Sequence, residues 1–519
     1  MDTKVAENEN NNRNPLIGLN GMALETSAEK RTRRYSLWIM YLTTFLQAMA
    51  GSIVITGMWP YLQKLDSTTS KEWFGWVVAA NPLGQLISSP LIGWVCNRLG
   101  ATRGPSIFCL VVFICANCWY AVLPLHQDGS KWFILVARFL VGVSSGSITA
   151  CRTFVTQGTL VAERTASISH LSLSQALGFV LGPAGQLALK PLGEEGFFIG
   201  GLPVNMYTGV GWMTTTLGLV NLIFFHPKFF HESDIAIREA QGKAKISERD
   251  GKTSVTYNMA NSNVATHKPD YLGIMVIVFT FFIVFFEFVL LETLGTPVSM
   301  DQFGWSAERT IVIVGTAMII SSIVSTSLFF LIPIGAKYFD ERVLLIGFGV
   351  VPYTLGRIFF FPYSSEVAPM RRLGCLHSNG TELVGLNEEQ CNANDDVHWK
   401  VVQHGCPEAQ TWCFELPALT PVTVAIGYAI CTLGFPCCMV LCQTIFSKML
   451  GPRPQGVWMG ALTSISSLAR VVGPIFVTYI YTEYGTIATS GTAVGLMVLV
   501  LVILLLIYKR LVPLGKRKS

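Results

Sequence analysis

The chain has 519 residues, of which 51% are hydrophobic and only 13% are charged, with a formal net charge of +5. Soluble domains carry about 25% charged residues, so the composition excludes a soluble domain with one anchor and points to many membrane spans. A nucleic-acid-binding function is excluded too: the basic residues flank apolar runs and form no stripe with interleaved aromatics.

In chain order, residues 1–35 are polar, Asn-rich and basic at their end, and are expected to be a disordered cytosolic tail without a signal-peptide core. Six apolar segments follow at 36–63, 73–95, 105–124, 132–156, 166–189 and 206–227. Each reaches the roughly 20 residues that a helix needs to cross a bilayer. The first half of the molecule is thus 36–229, followed by a polar cytosolic linker at 230–269, expected to be flexible. Six more segments, at 270–294, 310–334, 343–362, 418–444, 456–481 and 486–508, make a second half over 270–511. Residues 512–519 form a basic tail. The expected class is therefore an all-α membrane protein of twelve transmembrane helices in two six-helix halves.

An even number of spans puts both termini on one side, and charge selects the cytosol. Lys30, Arg31, Arg33, Arg34, Arg98, Arg103, Lys337, Arg342, Lys448, Arg453, Lys509 and Arg510 then fall inside, against Lys64, Lys71, Lys131 and Lys190 outside. Arg152 and Arg164 read as orientation charges at the same inner surface. Trp59, Trp73 and Trp76 fit an aromatic belt at the outer one.

The long outer loop 363–417 holds Cys375, Cys391, Cys406 and Cys413, together with the glycosylation triplet Asn379-Gly380-Thr381. Both features suit an oxidising, lumenal face. Four cysteines allow three pairings; Cys406 with Cys413 is an expectation, not a deduction, and four free thiols remain an alternative. Cys115, Cys118, Cys431, Cys437, Cys438 and Cys442 lie in spans and read as small apolar residues. No metal site, cofactor or enzyme motif is expected.

The halves repeat. Leu177 with Gly182-Pro183 in the fifth span matches Leu468 with Gly473-Pro474 in the eleventh. Arg103 and Arg342 end corresponding loops, and the 363–417 insertion accounts for nearly all the difference in spacing.

Three motifs resemble the major facilitator superfamily: "GWVCNRLGATRG" at 93–104, "RFLVGVSSG" at 138–146 and "GFVLGP" at 178–183. The resemblance implies two halves rocking about a midplane site, a small-molecule or ion substrate, lipid as the surrounding partner, a monomer and no cofactor. It implies gating or packing roles for Gly93, Asn97, Arg98, Gly100, Gly178, Gly182, Pro183, Gly473 and Pro474. Asn97 stands where the family carries an acid that latches the halves; it keeps a hydrogen bond but not the charge. Further stretches, including "LETLGTPVSMD" at 291–301 and "GCPEAQTWC" at 405–413, resemble a lysosomal branch of the family and imply an endolysosomal membrane. The sorting signal of that branch is altered: Leu16-Ile17 is present, but Asn12 replaces its acid.

The charges inside the spans suggest the chemistry. At 1.5 Å per residue, Arg470 lies about 21 Å from the cytosol, Glu287 about 25 Å, and Arg138 about 9 Å from the lumen. All three fall at similar depth, with Glu292 nearer the lumenal mouth. Arginine at the centre of a span costs about 2.5–3.5 kcal/mol on insertion scales and cannot neutralise itself. Two arrangements are open. Arg470 pairs with Glu287 while Arg138 snorkels to the lumen, or at least one arginine faces the cavity and binds an anion. In the second arrangement Arg470 and Arg138 are substrate residues, and Glu287, ahead of Glu292, is the proton-coupling candidate. Gln47, Asn81, Gln85 and Gln175 would line the pathway. The expected function is a carrier of a small, anionic solute, organic acid or chloride, with proton coupling. A chloride channel on the same fold and a non-transporting receptor or scaffold are the alternatives.

Overall fold

The computed structural model describes residues 25–66, 71–125, 130–193, 196–241, 270–377, 382–383, 397–408, 410–451 and 453–513. The first half contains α1 (Ser27–Leu65), α2 (Lys71–Leu99), α3 (Arg103–Val122), α4 (Ser130–Ser144), α5 (Ser147–Gln157), α6 (Arg164–Ala188) and α7 (Thr208–Phe224). The fourth span is α4 and α5 end to end. The second half contains α8 (Tyr271–Phe303), α9 (Ala307–Tyr338), α10 (Glu341–Leu344), α11 (Val351–Ile358), α12 (Pro421–Leu450) and α13 (Gly456–Ile507). A π-helical stretch, Leu345–Val350, joins α10 to α11 as the ninth span. The eleventh and twelfth spans are the two arms of α13, which turns at Gly485 (φ 79°). Every expected span thus corresponds to a helix, a helix arm or a short run of helices. Among the described residues seven helical stretches are long and apolar enough to cross a membrane, that count taking α13 as one and α4 with α5 as one.

Local sequence explains the ends. Thr26 and Glu29 form a capping box at α1, and Ser306 and Thr420 cap α9 and α12. Prolines 82, 90, 183, 297, 333, 436 and 474 lie inside helices, as membrane helices tolerate when neighbours re-satisfy the backbone.

The repeat is visible in the packing. In the first half α6 lies along α1, where a Cβ on Gly178 or Gly182 would collide with Ala48 or Ile53. In the second half the corresponding arm of α13 lies along α8, with Gly473 against Val289. The Gly-Pro pairs therefore occupy equivalent contacts, where missing side chains permit close approach.

The ends of the described chain, near residues 25 and 513, share one face, here the terminal face, and the described residues of 363–417 lie on the other, the loop face. One apolar core on the terminal side contains residues of both halves, including Met40, Phe154, Phe281, Phe329, Phe446 and Met459. On the loop side the cores are separate. One has only first-half residues, such as Ile53, Tyr61, Tyr120 and Tyr207, and the other only second-half residues, such as Trp412, Ala418 and Tyr481. The halves are thus sealed together on the terminal face.

Residues 230–241, expected to begin a flexible linker, are docked instead. Phe230 is buried against Phe154 and Phe225. Glu232 accepts from the backbone N–H groups of Thr102 and Arg103 at 2.6 and 2.7 Å, satisfying the start of α3. The remaining linker, 242–269, lies outside the described residues.

On the loop face β1 (Phe197–Ile199) pairs with β2 (Leu202–Val204), and β3 (Arg372–His377) sits between β4 (Glu382–Leu383) and β5 (Val397–Gln403). Cys406 and Cys413 are bridged. The bridge lies beside Trp412, whose ring covers Gly485 and whose Nε1 donates to the Thr482 carbonyl at 3.0 Å. The insertion is thereby anchored to the elbow of α13. Cys375 is on β3; Cys391, Asn379 and the Leu16-Ile17 signal lie outside the described residues.

Candidate substrate site

Arg470 projects from the eleventh span at the boundary between the halves. Its Nη2 donates to Gln85 Oε1 of α2 and to Ser467 Oγ at 3.3 Å. Ser467 Oγ also donates to Gln85 Oε1, at 3.0 Å, and Gln85 Nε2 donates to the Ser145 carbonyl at 3.3 Å. A first-half amide, itself held at both ends, thus orients a second-half guanidinium. Arg470 is half-buried, and its Nε has no partner among the described residues.

A second arginine belongs to this group. Arg152 of α5 is buried, not at the surface as the sequence reading placed it. Its Nη1 donates to Thr463 Oγ1 at 2.8 Å, again across the boundary, and it stands 6.0 Å over the Phe281 ring. It is close enough to Arg470 for the two positive charges to act on each other. Glu292, whose side chain lies at the surface of the helix bundle, acts on Arg470. Of the two cations, Arg470 is the one on which Glu292 acts.

Glu287 does not join them. It is fully buried and forms an ion pair with Arg357 of α11, which also donates to the Glu287 carbonyl at 2.7 Å. This pair lies wholly within the second half. Of the two open arrangements, the one that pairs Arg470 with Glu287 is not found: the acid pairs with a different arginine, one that the sequence analysis does not single out. Its signal was available, a lone arginine in the apolar run "TLGRIFFF".

Arg138 is 2% exposed and does not snorkel; it is enclosed in the first half, with Nη2 3.5 Å from the Gly51 carbonyl and Nε without a partner among the described residues. It is not brought to Arg470. Gln47 is buried with both amide atoms unbonded among the described residues, Gln175 is buried, and Asn81 packs its backbone against Gly142. Arg164, like Arg152, is buried, not an exposed orientation charge.

The motif residues close the terminal face. Asn97 Oδ1 accepts from the backbone N–H of Gly456, the first residue of α13, at 2.7 Å. Gly93 faces Gly456 so closely that a Cβ on either would strike the other's backbone. Farther in, Ser464 Oγ donates to the Leu86 carbonyl at 2.9 Å. Gly100 makes the turn before α3 with φ 62°, and Arg98 lies 5.2 Å over the exposed Trp94 ring. Among the described residues, the hydrogen bonds joining the halves run from this face up to Gln85 and Arg470.

Two six-helix halves, sealed at one face and joined by polar contacts around inward-held charges, have the build of a membrane transporter. The model of the Major Facilitator Superfamily matches residues 40–370, and the chain belongs to that family. It is 33% identical over 517 residues to Major facilitator superfamily domain-containing protein 8 of Xenopus laevis, covering 98% of each chain. Solved structures share the fold. The human organic anion transporter MFSD10 (TETRAN) superposes with a TM-score of 0.56 at 15% identity, covering 91% of this chain and 99% of that one. The proton:xylose symporter XylE gives 0.61 at 13% identity, covering 92% and 96%.

Proposed function

We propose that the chain carries a small anion across an endolysosomal membrane by alternating access, coupled to protons, with the terminal face in the cytosol. The observation that carries this reading is the juxtaposition of Arg470 and Arg152 at the boundary between the halves, with Glu292 acting on Arg470. Buried ions without matched partners are costly. A bound anion supplies the missing charge, and the planar guanidinium forks give it directed donors.

In the state described, an anion arriving from the loop side meets Arg470 first. It competes with Gln85 for the guanidinium and with Glu292 for the positive field. Protonation of Glu292 removes that competition, so anion and proton load together. The cross-boundary bonds of Gln85 and Arg152 hold the two halves to the site, and their exchange for bonds to the anion is how occupancy reaches the gate. The sealed terminal face supports a carrier over a standing channel. The disulfide on the loop face and the basic residues on the terminal face support the orientation.

The test is anion flux in proteoliposomes. Replacing Arg470→Gln, with expression and folding intact, should abolish it. Flux at the parent rate would remove Arg470 from the mechanism and the reading with it.

A further inference from the structure

In the family pattern, an acid at position 97 latches the halves, and here that position is Asn97. The described state is nevertheless closed at the terminal face, and a charge elsewhere than position 97 reaches across it. Arg164, the first residue of α6, is 2% exposed. Its Nη2 donates to the Thr156 carbonyl at 3.0 Å, near the end of α5, and its Nη1 to the Ser447 carbonyl at 3.4 Å, in the last turn of α12. Its acceptors are thus carbonyls at two helix C-termini, one in each half, where the helix dipole favours a cation. The carboxylate that acts on it is Glu239 of the docked post-α7 segment, on its own half.

The turn that follows Ser447 is internally clipped. Ser447 Oγ donates to Gln455 Oε1 at 2.8 Å, and Gln455 Nε2 donates to the carbonyls of Ser447 and Gly451 at 3.2 and 2.7 Å. The end of α12 and the start of α13 are therefore one unit. The first half grips that unit at both ends: Arg164 on the C-terminus of α12, Asn97 on the N-terminus of α13.

The geometry points to Arg164 as a charged member of the terminal-face latch: a positioning residue that holds the end of α12 while the loop side is accessible and releases it when the halves exchange access.

The test reads gate opening, independently of substrate. Ser169→Cys is a near-isosteric reporter: Ser169 is fully buried and donates to the Phe329 carbonyl of the other half. An impermeant maleimide applied from the terminal side labels it only when the halves part, and the chain lacking the reporter gives the background. Arg164→Gln should raise the labelling rate about tenfold, the scale of one lost charge-assisted hydrogen bond, with Arg164→Lys between. Adding Asn97→Asp, which strengthens the other grip, should return labelling towards the parent rate. Gln455→Ala should raise labelling with Arg164 intact, and this arm stands if Arg164→Gln does not fold. Parent-rate labelling in Arg164→Gln overturns the assignment. So does a rise that Asn97→Asp leaves untouched, which would mark a damaged fold, or parent-rate labelling in Gln455→Ala.

Discussion

Gln85 on the second span accepts a hydrogen bond from Arg470 on the eleventh, so one amide ties the two halves at the level of the candidate site. Gln85 is 2% exposed and donates its own N–H to the Ser145 carbonyl, which leaves its oxygen pointed at the guanidinium. Any ligand that takes Arg470 from Gln85 also loosens the contact between the halves. In the proposed cycle this acceptor, together with the Arg152–Thr463 bond, would couple binding to exchange between states.

Arg152 is the residue whose role the tertiary structure adds. Replacing Arg152→Gln should raise KM for the anion by about tenfold or more, because a charge-assisted donor is worth about 1.5–3 kcal/mol. Initial rates of uptake against anion concentration give the answer. An unchanged KM would leave Arg470 as the sole cation of the site.

Glu292→Gln should separate anion movement from proton movement. Uptake driven by an acidic loop side should fall to the rate seen without a pH gradient, while anion exchange at equal pH persists. If the gradient still drives uptake, the proton travels by another group.

The Glu287–Arg357 pair is expected to matter for stability before transport. Arg357→Ala strands a fully buried carboxylate and should cost about 3–5 kcal/mol. The double change Glu287→Gln with Arg357→Met should recover much of that loss, since a buried pair is often replaceable by apolar groups. Thermal unfolding in detergent checks both, and a single variant that melts with the parent would mean the pair is hydrated.

Trp412→Ala should release the loop-face insertion from the elbow of α13. It removes a large ring packed on Gly485 and Tyr481 and a hydrogen bond to Thr482, for about 3–5 kcal/mol. Faster proteolysis within 363–417, with the Cys406–Cys413 bridge intact, is the expected readout.

Asn97→Asp places a full negative charge at the N-terminus of α13, worth about 0.3–1 kcal/mol. It should favour the described state and slow turnover. Faster turnover would show that release of this contact does not limit the cycle.

Much of this protein is legible in one dimension. Twelve apolar segments, their division into halves, the Gly-Pro repeat and the motif residues at 93–104 are local properties. Hydropathy over some 20 residues and close-packing glycines need no partner to be recognised. Which charges meet is not local. Depth along a helix put Arg470, Arg138 and Glu287 at one level, but depth says nothing of the direction in which each side chain leaves its helix, nor of which span stands opposite. Those two facts gave Glu287 to Arg357, enclosed Arg138 in the first half, and drew Arg152 and Arg164 inward from a surface that their positions near span ends suggested. Spans and halves follow from the solvent each segment prefers; the site and its latch follow only from how the helices are turned against one another, because an ion in a low-dielectric interior answers to the neighbours within a few ångströms.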